Sequence, residues 1–388
     1  MPIMVISNSE HSLVPDIANG ITVDFGQPEA ALETILAAIE GKPVACVLAT
    51  DDTCVELCSR LARKLDLPHN TTAAALLTQR KDLAREALAR AGCNIPLFQL
   101  VALQDIDAMQ LQLPYPVVVK PLGLSASRGV IRADNKIEFH TACRRIDAIL
   151  ETVGITGFAR QHLLVESYID GPEYAVEGFM VGGDFRLLTI FDKPEPLCGP
   201  FFEETYYLTP TRLNTGQRRQ LVEEITKCCH AYGLEQGPVH AEARLSVTGP
   251  VLLELAARTI GGQCGQLIEF SLRQKLEELV IRGMCGITPE IDDQAEAAGV
   301  LMIPITAAGI LKRVEGLTAA MQTEFVRDIE IHINPGYELI PLPEGASYLG
   351  FIFAQGPDFE QTYGALQSAY GKLRFITQPK WTLENMAG

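Results

Sequence analysis

The sequence predicts a multi-domain protein that combines an α/β unit with α+β units, and three observations lead there. At 388 residues the chain exceeds what one ordinary hydrophobic core supports. Its first 65 residues alternate short β-branched apolar runs with helical patterns, the signature of a parallel sheet. From residue 163 onward, hairpin signals and short strands with Pro- and Gly-rich turns replace that alternation. We place an N-terminal parallel-sheet domain and connecting helix at 1–92, a central domain at 93–290 and a C-terminal α+β domain at 291–388.

In the N-terminal domain, 2–6, 21–24 and 43–49 read as strands, and 28–40 and 51–65 as helices. No G-x-G-x-x-G follows any of these strands, and G-x-x-x-x-G-K-[ST] is absent from the chain, so neither the dinucleotide fingerprint nor the P-loop is present. Thr71 to Ala91 reads as one Ala- and Leu-rich helix with Gly92 as its cap; on pattern alone its Lys81 is a solvated cation.

Tyr115-Pro-Val-Val-Val-Lys120-Pro is a strand apolar on both faces. The stem of Lys120 can lie along apolar surface while its ammonium reaches a ligand or solvent. The loop that follows, Gly123-Leu-Ser-Ala-Ser-Arg-Gly129, has small residues whose N–H groups and hydroxyls (Ser125, Ser127, Gly129) can wrap a phosphate, with Arg128 adding charge; the alternative is a plain flexible turn. Residues 136–150 form a helix, and 163–169 a strand that passes through Asp170-Gly-Pro172 into a second sheet. A Gly-Pro crossing offers free backbone groups to a flat ligand such as adenine, with Glu173 beside a ribose, or it is an ordinary linker. Gly182-Gly183 turns a hairpin, and 214–232 is an amphipathic helix with Leu221, Ile225, Cys228 and Tyr232 inward.

The densest signal is Pro238 to Gly262, two strands about a turn at Thr248-Gly249-Pro250. Symmetry about Thr248 sets Glu242 opposite Glu254, with Val251, Leu253 and Leu255 on the other face. Two half-buried carboxylates so placed need a cation between them, and a hard divalent ion fits; otherwise both are solvated surface glutamates. A helix follows from about 266 to 282, then strands at 299–305, 328–333 and 349–354 and a helix at 358–372.

Composition narrows the function. A net charge of −16 without clustered Lys and Arg argues against a nucleic-acid partner. No run of 18 apolar residues and no signal peptide are present, so we expect no membrane span and a cytoplasmic location, with the ten cysteines reduced. His240-Ala-Glu242 superficially matches a zinc deaminase, but no Pro-Cys-x-x-Cys follows.

Taken together, the Lys120 strand, the Ser-Ala-Ser-Arg-Gly129 loop, Val-Glu166-Ser-Tyr-Ile-Asp-Gly-Pro-Glu173, and His-Ala-Glu242 with Leu-Glu254-Leu-Ala-Ala-Arg258 resemble the ATP-grasp superfamily. Its carboxylate–amine ligases, above all the L-amino-acid ligases that make dipeptides, are most similar, over nearly the whole chain. The resemblance implies an ATP-grasp fold: a Rossmann-like N-terminal sheet, a lid at about 114–192, a central antiparallel sheet and a C-terminal α+β unit. It implies ATP and Mg²⁺ (or Mn²⁺), with small-molecule carboxylate and amine substrates. Lys81 and Lys120 would then hold phosphates under the 125–129 loop; Glu166, with Ser167, Tyr168 and Ile169, would meet adenine and Glu173 the ribose. Glu242 and Glu254 would bind metal, and Glu204 and Tyr207 would line the amine side. Arg258 would bind substrate and, with Gly261 and Gly262, stabilise a developing oxyanion.

Two departures stand out: Ala256 where the family usually has a metal-ligating Asn, and Glu204-Thr-Tyr-Tyr207 where similar ligases often show Glu-x-x-His. The rival readings are a purine-pathway-like or D-alanine-type ligase and a catalytically silent ATP-binding regulator. A homodimer is left open.

Overall fold

The computed structural model describes residues 2–8, 19–287 and 296–380. At the N-terminus β1 (Val5–Ser7) and β2 (Gly20–Thr22) pair in parallel, flanked by the helices Pro28–Ala38 and Val55–Lys64. The strand expected at 43–49 forms no ladder. Its apolar side chains are drawn into three separate cores, Val47 into the one that holds Val23 and Leu32, Leu48 into the one that holds Leu267, and Ala49 into the one that holds Val55, so burial comes without backbone pairing. The helix expected over 71–91 is two, Thr72–Gln79 and Lys81–Arg90, because Arg80 adopts extended geometry (φ −117°, ψ 95°) and pairs with Asp82. The break makes Lys81 the first residue of the second helix.

Four strands form a small antiparallel sheet: β3 (Phe98–Ala102), β4 (Val117–Pro121), β5 (Ile131–Ala133) and β6 (His162–Ser167), in the order β3-β6-β4-β5. The helix Lys136–Thr152, N-capped by Asn135, covers it through Phe139, Cys143 and Ile146. This unit ends at Ser167, short of the end of the lid expected at about 114–192. The next strands, β7 (Glu173–Val181) and β8 (Asp184–Lys193), belong to the large sheet. The chain crosses between sheets at Gly171, whose φ of +124° brings it so close to β10 (Gln236–Ser246, below) that a Cβ would lie 2.3 Å from the Leu245 carbonyl oxygen. Only glycine fits there.

Beyond it come β9 (Tyr206–Thr209), β10, β11 (Gly249–Ala256), β12 (Ala297–Ile303), β13 (Gly309–Glu315), β14 (Val326–Ile331), β15 (Glu338–Leu339), β16 (Gly350–Gly356) and β17 (Arg374–Gln378). The large sheet runs β11-β10-β7-β8-β9-β12-β16-β14. The C-terminal strands thus extend the central sheet instead of building a detached unit; only β15-β13-β17 form a sheet of their own. The boundary expected at 290 lies outside the described residues. The helix Thr215–Tyr232 buries the four residues its pattern predicts, whereas the helix expected over 266–282 breaks at Arg273 (φ +54°) into Gly265–Leu272 and Leu276–Met284. All ten cysteines are free thiols, and no described helix is long and apolar enough to cross a membrane.

Candidate active site

Glu242 and Glu254 are directly paired across the β10–β11 hairpin. The reason differs from the symmetry argument. The turn is the two residues Val247 and Thr248, with Ser246 opposite Gly249; Ala243 then pairs with Leu252, and Leu253 is bulged out, which restores Glu254 to Glu242. The bulge also overturns the expected alternation: Leu252 and Leu255, not Leu253, fill the core face. Arg85 holds the bulge, donating from Nη2 to the Leu253 carbonyl at 2.6 Å.

Each acid has its own cation. Lys81 lies 3.3 Å from Glu254 and donates to the Leu124 carbonyl at 2.9 Å, so it ties the acid pair to the 123–129 loop. Against the cost of burial, Lys81 holds the Glu254 carboxyl below its ordinary value. Glu242 accepts from Lys193 at 2.9 Å and lies 3.4 Å from His240 Nε2; these two outweigh burial and hold it well below the usual range.

In the loop, Ala126, Ser127 and Gly129 all take positive φ, and the Gly129 N–H donates to Pro343 in the C-terminal region. Arg128 Nε is buried with no partner among the described residues, as expected of a group waiting for an anion. Lys120 lies 2.7 Å from Glu166 Oε2, and Arg85 Nε donates to Oε1 at 2.5 Å. Burial alone would raise the Glu166 carboxyl, but Arg85 and Lys120 bring it down to about 2. Both Glu166 oxygens are therefore engaged by cations, Oε1 by Arg85 and Oε2 by Lys120. The Ser167 and Tyr168 N–H groups donate to Leu97 and Pro116, and the Ile169 carbonyl accepts from Arg244. The guanidinium groups of Arg132 and Arg244 both lie over the Tyr168 ring, 4.2 and 5.1 Å from its centre.

Glu173 is likewise engaged on both oxygens. Its oxygens accept from Lys193 at 2.8 Å and Arg244 at 2.9 Å. Lys193, at the end of β8, also donates to Glu204 at 2.6 Å and lies over the Tyr207 ring, whose hydroxyl donates to the other Glu204 oxygen. Burial and the nearby Glu242 push Glu204 up to about 7 despite Lys193. Lys193 and Arg85 belong to no motif in the sequence. Lys193 ends an apolar strand just as Lys120 does, which was a usable signal; Arg85 had none, since its partners are remote in sequence.

Past β11, Arg258 Nε lies 3.0 Å from Asp52 of the N-terminal domain. The Ile260 N–H donates to Glu177, whose other oxygen pairs with His240, so the Arg258 loop is tied through two buried side chains to Glu242. With Glu177 and Glu242 beside it, His240 rises to about 9 against its burial. Gly262 takes φ +61°; Gly261 has open space around its Cα.

The oxygen donors of the opposed Glu242 and Glu254 suit a hard divalent cation; Lys81 and Lys120 each pair with a glutamate, and Arg128 Nε has no hydrogen-bond partner among the described residues. Glu173, Glu204 and Glu242 form a second set of converging carboxylates, but the Lys193 ammonium already stands among them.

Sequence-family profiles agree with this geometry. That of the ATP-grasp domain matches residues 113–266, that of the ATP-grasp N-terminal domain 1–69, and that of the L-amino acid ligase C-terminal domain 2 matches 301–378. The chain is an ATP-grasp protein with the domain arrangement of the L-amino acid ligases. The crystal structure of L-amino acid ligase from Bacillus licheniformis superposes with a TM-score of 0.82 at 26% identity, covering 97% of this chain and 93% of that one. Carnosine synthase 1 of Gallus gallus is 30% identical over 333 residues, 81% of this chain and 35% of the relative. Alanine–anticapsin ligase of Bacillus subtilis is 25% identical over 273 residues, 66% and 57% respectively. The chain thus spans less than two thirds of the length of these two curated relatives.

Proposed function

We propose that this protein is an ATP-dependent carboxylate–amine ligase. It joins an amino acid or related carboxylate to an amine or second amino acid through an acyl phosphate and releases ADP and phosphate. The observation that carries the reading is the directly opposed pair Glu242 and Glu254, flanked by Lys81 and followed by Arg258 on the next loop. Mg²⁺ held by the two glutamates would neutralise phosphate charge. Lys81, Lys120 and Arg128 align the ATP phosphates, and the substrate carboxylate oxygen attacks the γ-phosphorus as the bond to ADP breaks. In the second half the amine nitrogen attacks the acyl carbon, the carbon–oxygen bond to phosphate breaks, and the nitrogen gives up a proton. Arg258 and the N–H groups at Gly261 and Gly262 serve the oxyanion of that step. No Ser-His-Asp arrangement is needed, since charge alignment does most of the work.

Product analysis tests it. ADP and phosphate should form only when a carboxylate and an amine are both present; AMP and pyrophosphate would overturn the reading in favour of adenylation.

A further inference from the structure

Asp52 begins the short helical turn Asp52–Cys54 of the N-terminal domain, far in sequence from every motif that marks the ATP site. Asp51 caps the turn through Thr53, and the Gln79 side chain donates to the Asp52 carbonyl, so the backbone is pinned on both sides. The carboxylate so placed meets Arg258. Nε of Arg258 is 3.0 Å from Asp52 Oδ1, yet it lies off the hydrogen-bond line, and Oδ1 is buried with no aligned donor. A buried carboxylate oxygen without a donor is costly. Burial, with nearby Glu254 adding, raises the Asp52 carboxyl above its ordinary value, and Arg258 offsets this only in part. Arg258 spends Nη1 on the Thr259 carbonyl at 3.0 Å, and Nη2 has no hydrogen bond among the described residues.

A guanidinium edge beside an under-satisfied carboxylate is complementary to a zwitterion whose carboxylate and ammonium are separated by one carbon. We propose that Asp52 reads the α-ammonium of the acyl-donor substrate while Arg258 engages its carboxyl end, so that the N-terminal domain selects amino acids over plain carboxylates. This rests on the ligase reading above and adds to it a specificity residue from another domain.

The test isolates the first half-reaction by using hydroxylamine as the amine and measuring hydroxamate and ADP. The donors are L-alanine, L-leucine and L-phenylalanine, each beside its des-amino analogue (propionate, 4-methylpentanoate, 3-phenylpropionate). Wild type should prefer the amino acids. In Asp52→Asn, which keeps an acceptor for Arg258 but loses the charge, that preference should fall by about 100-fold, the scale of one lost charged hydrogen bond. The KM for ATP should hold steady, and Asp52→Glu should recover part of the preference. An equal loss for both members of each pair, or a wild type that does not discriminate, would overturn the proposal. Calorimetric titration of the same amino acids is the independent arm. If wild type binds them and Asp52→Asn does not, the subsite stands even where no hydroxamate forms and the ligase reading fails. If both bind alike, the subsite is wrong.

Discussion

Glu254 faces Glu242 because Leu253 is bulged out of β11 and its carbonyl is held by Arg85. A helix in one part of the chain thus fixes the register of an acid pair in another. If that pair is the metal site, Glu254→Gln keeps the shape and removes one charge. Even substitutions outside the ligand shell commonly cost metal sites about 10–100-fold in affinity. Mn²⁺ binding in the presence of ATP, followed by electron paramagnetic resonance, should therefore weaken by at least about 10-fold. Unchanged Mn²⁺ affinity would remove Glu254 from the site.

Arg258→Ala should separate chemistry from nucleotide binding. As an oxyanion or substrate group, Arg258 is worth about 10²–10³ in turnover, with ATP affinity little changed. As a mere partner of the largely buried Asp52, its loss would lower the stability of the fold and leave the turnover of the folded protein close to wild type. Amine-dependent ADP release and ATP titration of the variant, beside circular dichroism, tell the two apart.

What the sequence made legible follows from how local each cause is. The amphipathic helix at 215–232 and the Gly182-Gly183 hairpin rest on neighbouring residues, and both form as read. The pairing of Glu242 with Glu254 was also legible, although a symmetric turn was the wrong cause: a two-residue turn and a bulge arrive at the same register. Glu166 and Glu173 show where such reasoning stops. Each lies near the expected segment, but Arg85, Arg244 and Lys193, supplied by other elements, consume their oxygens. The missing ladder at 43–49 likewise depends on tertiary partners that no periodicity encodes.

Gly171→Ala should destabilise the junction between the small and large sheets. Its φ of +124° is unfavourable for alanine, and the new methyl would meet the Leu245 carbonyl oxygen at 2.3 Å, so backbone must move. Strain of this kind costs about 1–3 kcal/mol or more. Thermal unfolding should show it, and limited proteolysis should place the new cleavage around 168–172. An unchanged transition would mean that the crossing relaxes freely.

The buried trio of Arg85, Glu166 and Lys120 gives the last prediction, and its sign can be worked out. Glu166 titrates at about 2 in the folded chain against an ordinary 4.5, because two cations outweigh the effect of burial. A carboxyl lowered on folding stabilises the native state fully above its ordinary value, and the contribution disappears as pH falls through the folded value. At pH 7, Glu166→Gln leaves Arg85 and Lys120 without their counter-charge, and breaking a buried pair in this way costs about 3–5 kcal/mol. Between pH 4.5 and about 2 wild type should lose stability more steeply than the variant, so the gap between them should narrow as the solution is acidified. Urea unfolding of both proteins at pH 7, 5, 4 and 3 checks this. A gap that stays constant across that range would show that Glu166 acts through packing and neutral hydrogen bonds, and that its charge contributes nothing to holding the Lys81–Arg90 helix against the small sheet.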